Sequence, residues 1–248
     1  MSHPAQYSAS VLDAAFEILN SRWPDWFGRP LIFDPFSGVG TRLAAACAAH
    51  GWDYSGVELE EAFIQAPHVH QGDATRWESY PPARFPVEYG SGRWCILTSP
   101  AYSNGMSDHH LARDGSPRKN YRKAKAEITG DAEVELLLNN MGRYGYRGSK
   151  RPEEGGKSAK RAEYWRIAQE SVRWWTTAEL VLVNVSDFIA TRNGQEVVEP
   201  LVADWKELLS LYGWTAQIDH LIKTPRMKHG ENADKRVEHE VIIEAWRP

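Results

Sequence analysis

A chain of 248 residues, 42% hydrophobic and 25% charged with a formal net charge of −4, has the size and balance of one globular domain with a substantial core. No apolar run approaches 18 residues and no basic-then-apolar leader opens the chain, which argues against a membrane-spanning or exported protein. The two cysteines, Cys47 and Cys95, each lie in an apolar run, so a disulfide scaffold or cysteine metal site is disfavoured and a soluble, cytoplasmic protein is expected.

The elements alternate. "SASVLDAAFEIL" (8–19) carries a helical apolar stripe with Ser8 or Ser10 as N-cap. "LIFDPF" (31–36) reads as a buried strand, and "TRLAAACAAHG" (41–51) as a helix that Gly51 ends. "DYSGVELE" (53–60), "HVHQGDA" (68–74) and "RWCILTSP" (93–100) supply three more strands. "AEYWRIAQESVRWW" (162–175) is an amphipathic helix leading into the strand "ELVLVNVSDFI" (179–189). A helix near 198–212 and two strands, 215–224 and 240–246, complete the chain. This order predicts an α/β fold with a mostly parallel sheet, helices on both faces, and an antiparallel pair at one side made by the last two strands. The eleven tryptophans are expected to be mostly core or half-buried.

Residues 103–160 break the alternation. They hold 12 Lys/Arg against 8 Asp/Glu in a chain whose net charge is negative. A basic segment of that length, leaving the sheet at the C-terminal end of the fourth strand, predicts a polyanion-binding insertion beside the ligand crevice. A solvated loop is the alternative. Tyr121, Tyr144 and Tyr146 give the segment the aromatic-basic mixture of nucleic-acid surfaces, or serve to pack it on the body.

"DPFSGVGT" (34–41) joins a strand to a helix N-terminus. Gly38 and Gly40 permit a tight turn and close approach of a ligand, while the helix start presents free N–H groups. Glu58, ending the second strand 18 residues after Gly40, is placed to accept both ribose hydroxyls. Asp73, at the end of the third strand, is placed for an adenine amino group. Asp34 would repel a pyrophosphate and attract a cationic amino-acid end, which favours a sulfonium cofactor over a dinucleotide.

Taken together, these motifs resemble the amino-group DNA methyltransferases that act on cytosine N4 or adenine N6. "DPFSGVGT" resembles their first motif, D-P-F-x-G-x-G-T. "VELE" and "GDA" resemble the second and third, "TSPAY" (98–102) the catalytic [S/N/D]-P-P-[Y/F/W] motif, and "HPAQYS" (3–8) the N-terminal segment that closes over the cofactor. "TPRMKHGENADKRVEHEVIIEAW" is similar to the basic loop and final strand of many members. The likeness runs from near residue 3 to the end, apart from the interior of 103–160.

The resemblance implies a Rossmann-like class I methyltransferase fold, a seven-stranded sheet with an antiparallel last strand, and one methyltransferase domain whose basic insertion 103–160 recognises the target. It implies S-adenosyl-L-methionine as cofactor, held by His3, Pro4, Asp34, Pro35, Phe36, Ser37, Gly38, Gly40, Thr41, Glu58, Asp73 and Ala74. It implies catalysis by Ser99, Pro100 and Tyr102 on double-stranded DNA. Contacts to that DNA are expected from Asn104, His109, His110, Arg113, Arg118, Lys119, Arg122, Lys123, Arg226, Lys228 and Arg236. The Ser form of the motif points to cytosine N4 slightly ahead of adenine N6. Ala101 departs from the usual proline and removes a ring that stiffens the turn, which leaves open a weaker enzyme or a cofactor- and nucleic-acid-binding protein without turnover. Transfer to RNA or to a glutamine amide is a further alternative. Asp108, His109 and His110 lack third and fourth ligands at useful spacing, so no metal is expected.

Overall fold

The computed structural model describes residues 7–25, 28–84, 93–100, 121–131, 137–138, 140–141, 156–192, 195–223 and 239–248, and among these are nine strands and six helices. The strands are β1 (Leu31–Asp34), β2 (Tyr54–Glu58), β3 (Val69–Gln71), β4 (Trp94–Thr98), β5 (Leu180–Val185), β6 (Phe188–Arg192), β7 (Gln195–Glu199), β8 (Ala216–Lys223) and β9 (His239–Trp246). The helices are α1 (Ala9–Arg22), α2 (Thr41–His50), α3 (Pro81–Arg84), α4 (Tyr121–Thr129), α5 (Gly156–Val172) and α6 (Leu201–Leu211). Short 3₁₀ turns lie at Glu61–Phe63, Trp77–Ser79 and Trp175–Thr177.

Seven strands form one sheet in the order β3-β2-β1-β4-β5-β9-β8, and β6 and β7 form a separate antiparallel ribbon. β1 to β5 run parallel, whereas β9 is antiparallel to both β5 and β8. The expected antiparallel pair is therefore present, with the last strand in sequence lying between β5 and β8. The order changes direction between β1 and β4. In open α/β sheets, ligands are taken outside the C-terminal strand ends at such a switch point.

Alternation along each strand divides the core in two. Ile32, Cys95, Leu97, Leu182 and Ile242 face α1 and α2, packing on Val11, Phe16, Leu19 and Leu43. Phe33, Trp94, Ile96, Val181, Val183 and Ile243 face the other layer, with Tyr164, Ile167, Trp175, Trp205 and Trp214. Four indoles, Trp94, Trp175, Trp205 and Trp214, are fully buried. Each removes roughly 200 Å² from water, about 5 kcal/mol before entropic costs. Both cysteines are free and buried.

Local signals act as their chemistry dictates. Ser8 caps α1 by accepting the Val11 N–H at 3.3 Å, and Gly51 ends α2 with φ +69°. The segment after β5 departs from expectation. One strand over 179–189 is replaced by β5, a break at Ser186–Asp187 and the β6–β7 ribbon, and α6 starts only at Leu201. Asp187 accepts the Val202 N–H at 2.8 Å, turning the chain into that helix. α5 begins at Gly156, ahead of the apolar stripe that announces it and inside the expected insertion. Among the described residues, no helix is long and apolar enough to cross a membrane.

Candidate active site

The glycine-rich turn follows β1 directly. Gly38 has φ +57° and Gly40 φ +66°, the left-handed region that glycine enters at no cost. Gly40 caps α2, and among the described residues no side chain caps the first N–H groups of that helix, which begin at Thr41. A Cβ at Gly40 would collide with Val69 and meet Ser37 Oγ at 2.9 Å. Ser37 is buried and shares a 2.7 Å hydrogen bond with Tyr54. Phe36, partly buried, packs against the core beside Pro35.

Asp34 closes β1 and is 1% exposed. Its Oδ1 accepts from Thr98 Oγ1 at 2.7 Å and from the Phe36 N–H at 3.0 Å. Its Oδ2 accepts from the Tyr7 hydroxyl at 3.0 Å, a hydrogen Tyr7 shares with Leu97 O at 3.1 Å. Burial pushes the carboxyl up to about 6, with those three donors pulling the other way. Asp34 thereby ties the N-terminal segment, the glycine turn and β4 together.

Glu58 ends β2 and is partly buried, its Oε1 accepting the Glu60 N–H at 2.8 Å. Burial raises it to about 7, and the neighbouring charges of Glu60 and Asp34 add to the rise. Asp73 lies two residues past β3 and accepts the Thr75 N–H and hydroxyl at 2.9 and 2.7 Å. The Ala74 carbonyl accepts from Tyr80 at 2.7 Å. Trp174, stacked at a tilt on Trp77, donates to Thr75 O at 2.9 Å, so two indoles flank this turn. The donor set suits a nucleoside with a cationic tail: acceptors at the ends of β1, β2 and β3, a left-handed glycine turn, and an uncapped helix start.

Ser99 and Pro100 follow β4. Thr98, the last residue of that strand, is the one bonded to Asp34, so a single 2.7 Å hydrogen bond ties the Ser-Pro turn to the glycine turn across the switch point. Ser99 is partly exposed and Pro100 buried. Ser99 Oγ accepts from Asn184 Nδ2 at 3.3 Å, and the same nitrogen donates to Glu240 at 3.0 Å.

The strand order, parallel but for β9, is that of a Rossmann-like α/β sheet with helices on both faces, as expected. No protein-family model matches the sequence, and no curated protein matches it. Among solved structures, the chain is similar to a Thermus thermophilus protein, provisionally a DNA modification methylase, complexed with S-adenosyl-L-methionine. That match has 20% identity and a TM-score of 0.29, and covers 38% of this chain and 40% of that one. The delta-N METTL16 methyltransferase domain matches at 7% identity and TM-score 0.48, over 100% of this chain and 88% of that one. A SAM-dependent methyltransferase from Archaeoglobus fulgidus matches at 11% identity and TM-score 0.42, over 95% and 94%.

Several expected site residues lie outside the described residues: His3, Pro4, Ala101, Tyr102, Asn104, His109, His110, Arg113, Arg118, Lys119, Arg226, Lys228 and Arg236. Arg122 and Lys123 fall on α4, which is described only in its backbone at those positions. Among the described residues, no group of three or more His, Cys, Asp or Glu could hold a metal ion.

Sequence reasoning missed Glu60. It is 2% exposed, and its carboxylate binds Lys125 Nζ at 2.6 Å, the Leu137 N–H at 2.6 Å and Asn140 Nδ2 at 3.3 Å. These partners all belong to the insertion, and the Glu60 N–H binds Glu58. Glu60 therefore ties α4 and residues 137–140 to the end of β2. Its signal in the sequence, a second acid two places after Glu58, is legible only as part of "VELE".

Proposed function

We propose that this chain is an S-adenosyl-L-methionine-dependent methyltransferase that methylates an exocyclic amine of a base flipped out of double-stranded DNA, cytosine N4 ahead of adenine N6. The observation that carries the reading is the Thr98–Asp34 hydrogen bond, which sets the turn for the donor beside the turn for the acceptor on adjacent strands.

The residues at the ends of β1, β2 and β3 fit the cofactor. Glu58 accepts ribose hydroxyls, the 73–75 turn meets the adenine, and the field of Asp34 favours the ammonium of the methionine end. S-adenosyl-L-methionine, when bound, supplies a methyl group already activated on a sulfonium. What remains for the chain is to prepare the nucleophile. An exocyclic amine is weak because its lone pair is delocalised into the ring. The Ser99 hydroxyl and the Pro100 carbonyl accept its two hydrogens and draw the nitrogen toward tetrahedral geometry, which directs the lone pair at the donor. Tyr102 stacks on the base, an interaction worth roughly 1–3 kcal/mol. The acceleration comes from positioning and preorganised dipoles. Extruding the base costs a few kcal/mol, offset by phosphate contacts from the basic insertion and from Arg226, Lys228 and Arg236.

The test is transfer of tritiated methyl groups from S-adenosyl-L-methionine to duplex DNA, RNA and protein offered separately. The reading predicts label in DNA. Label confined to RNA or protein would overturn the substrate assignment.

A further inference from the structure

A buried amide behind the Ser-Pro turn has no role in the mechanism so far. Asn184, near the C-terminal end of β5, is 2% exposed, and its Nδ2 donates to Ser99 Oγ just past β4 and to Glu240 Oε2 on β9. Its Oδ1 is buried and, among the described residues, has no hydrogen-bond partner. Buried acceptors without partners are rare in native proteins, and each calls for a specific cause. Here the cause is visible. Turning the amide over would aim Oδ1 at the Glu240 carboxylate, two oxygens facing each other in a site of low dielectric. Glu240 therefore selects which end of the amide faces Ser99, and the orphaned oxygen is the consequence.

We propose that Asn184 is a positioning residue for Ser99, oriented by Glu240. The inference rests on reading Ser99 as an acceptor for the target amine. A serine hydroxyl carries one hydrogen and two lone pairs. With one lone pair engaged by Asn184, the hydroxyl hydrogen is excluded from that side, and one lone pair is left for an amine hydrogen. Three strands thus converge on a single oxygen: β9 holds the amide, β5 carries it, and β4 presents the hydroxyl.

Glu240→Gln is the decisive variant. The new side-chain amide can donate to an Asn184 oxygen turned toward it, so the carboxylate no longer forbids the arrangement in which Asn184 turns its oxygen toward Ser99 and its nitrogen takes the unpartnered place. Thermal stability should change little while kcat for methyl transfer falls about tenfold, the loss of one well-placed hydrogen bond. KM for duplex DNA and affinity for S-adenosylhomocysteine should stay as in the parent. Asn184→Asp, similar in shape and unable to donate to Ser99, should lower kcat likewise, its fold verified by S-adenosylhomocysteine titration. Asn184→Asp also sets a second carboxylate against Glu240 and should melt lower, so Glu240→Gln discriminates: a residue of purely structural importance would lose stability and rate together there. Full kcat in Glu240→Gln and Asn184→Asp, with the parent active on DNA, would overturn this proposal alone. A parent chain that transfers methyl to no amine would overturn the enzyme reading and this inference with it.

Discussion

Asp34 shows how much of the site depends on one carboxylate. Three donors from the N-terminal segment, the glycine turn and β4 converge on it. Asp34→Ala strips its acceptor from the buried Thr98 hydroxyl, at roughly 1–3 kcal/mol for a group left unsatisfied, while the Tyr7 hydroxyl keeps the Leu97 carbonyl. A melting temperature lower by about 5 °C is expected for a chain of this length, along with lost affinity for S-adenosylhomocysteine. Asp34→Asn keeps one acceptor oxygen, so it should retain most of the stability while losing the field that attracts the ammonium. Calorimetric melting and titration separate the two effects, and equal loss of stability in both variants would count against this assignment. The raised values of Asp34, about 6, and Glu58, about 7, have a pH signature. Both groups ionise later in the folded chain than in the unfolded one, so their contribution to stability is full below about pH 4 and is lost as pH rises through 6 and 7. Cation binding favours the ionised forms. The rise in melting temperature produced by S-adenosylhomocysteine should therefore grow between about pH 5.5 and 7.5, and a flat response would show that these carboxylates do not feel the ligand.

At the scale of elements, α4 is tied to the end of β2 through Glu60, with Lys125 as its contribution. Glu60→Gln removes the charge partner of a lysine that is itself only 17% exposed. Trypsin should then cut within 121–131 several times faster than in the parent, while the sheet core resists. Unchanged cleavage would mean that α4 is held by other interactions. Strands β1, β2, β4 and β5 are legible to within a few residues because buried strands read as apolar runs bounded by Gly, Pro and Asp. The β6–β7 ribbon is not. Its apolar residues continue those of β5, and the Asn-Gly pair at 193–194, a two-residue hairpin signal, is the cue that separates them. The start of α5, "GKSAKR", has no apolar period to announce a helix. The hydrogen bonds of Glu60 to the insertion and of Asn184 to Ser99 and Glu240 are tertiary, made across 56 to 85 residues of chain, and no local pattern encodes them.

For the whole molecule, the sheet order places the glycine turn and the Ser-Pro turn on either side of the switch point, as their sequence order implies. The fold is legible because strand–helix alternation admits few topologies. The substrate is legible only through resemblance, since side chains around a crevice declare a cofactor chemistry more readily than its acceptor. Charge separation gives the substrate reading a test of its own. Neutralising Arg118, Lys119, Arg122 and Lys123 together should weaken duplex binding and flatten the dependence of log affinity on log salt by about 0.9 for each phosphate no longer neutralised. An unchanged slope would assign the insertion another task. The central claim is tested most directly by mass spectrometry of nucleosides from duplex DNA incubated with the protein and S-adenosyl-L-methionine. The account predicts a methylated exocyclic amine, N4-methyldeoxycytidine ahead of N6-methyldeoxyadenosine, that disappears in Ser99→Ala; methylation of a ring carbon, or of no DNA base at all, would contradict it.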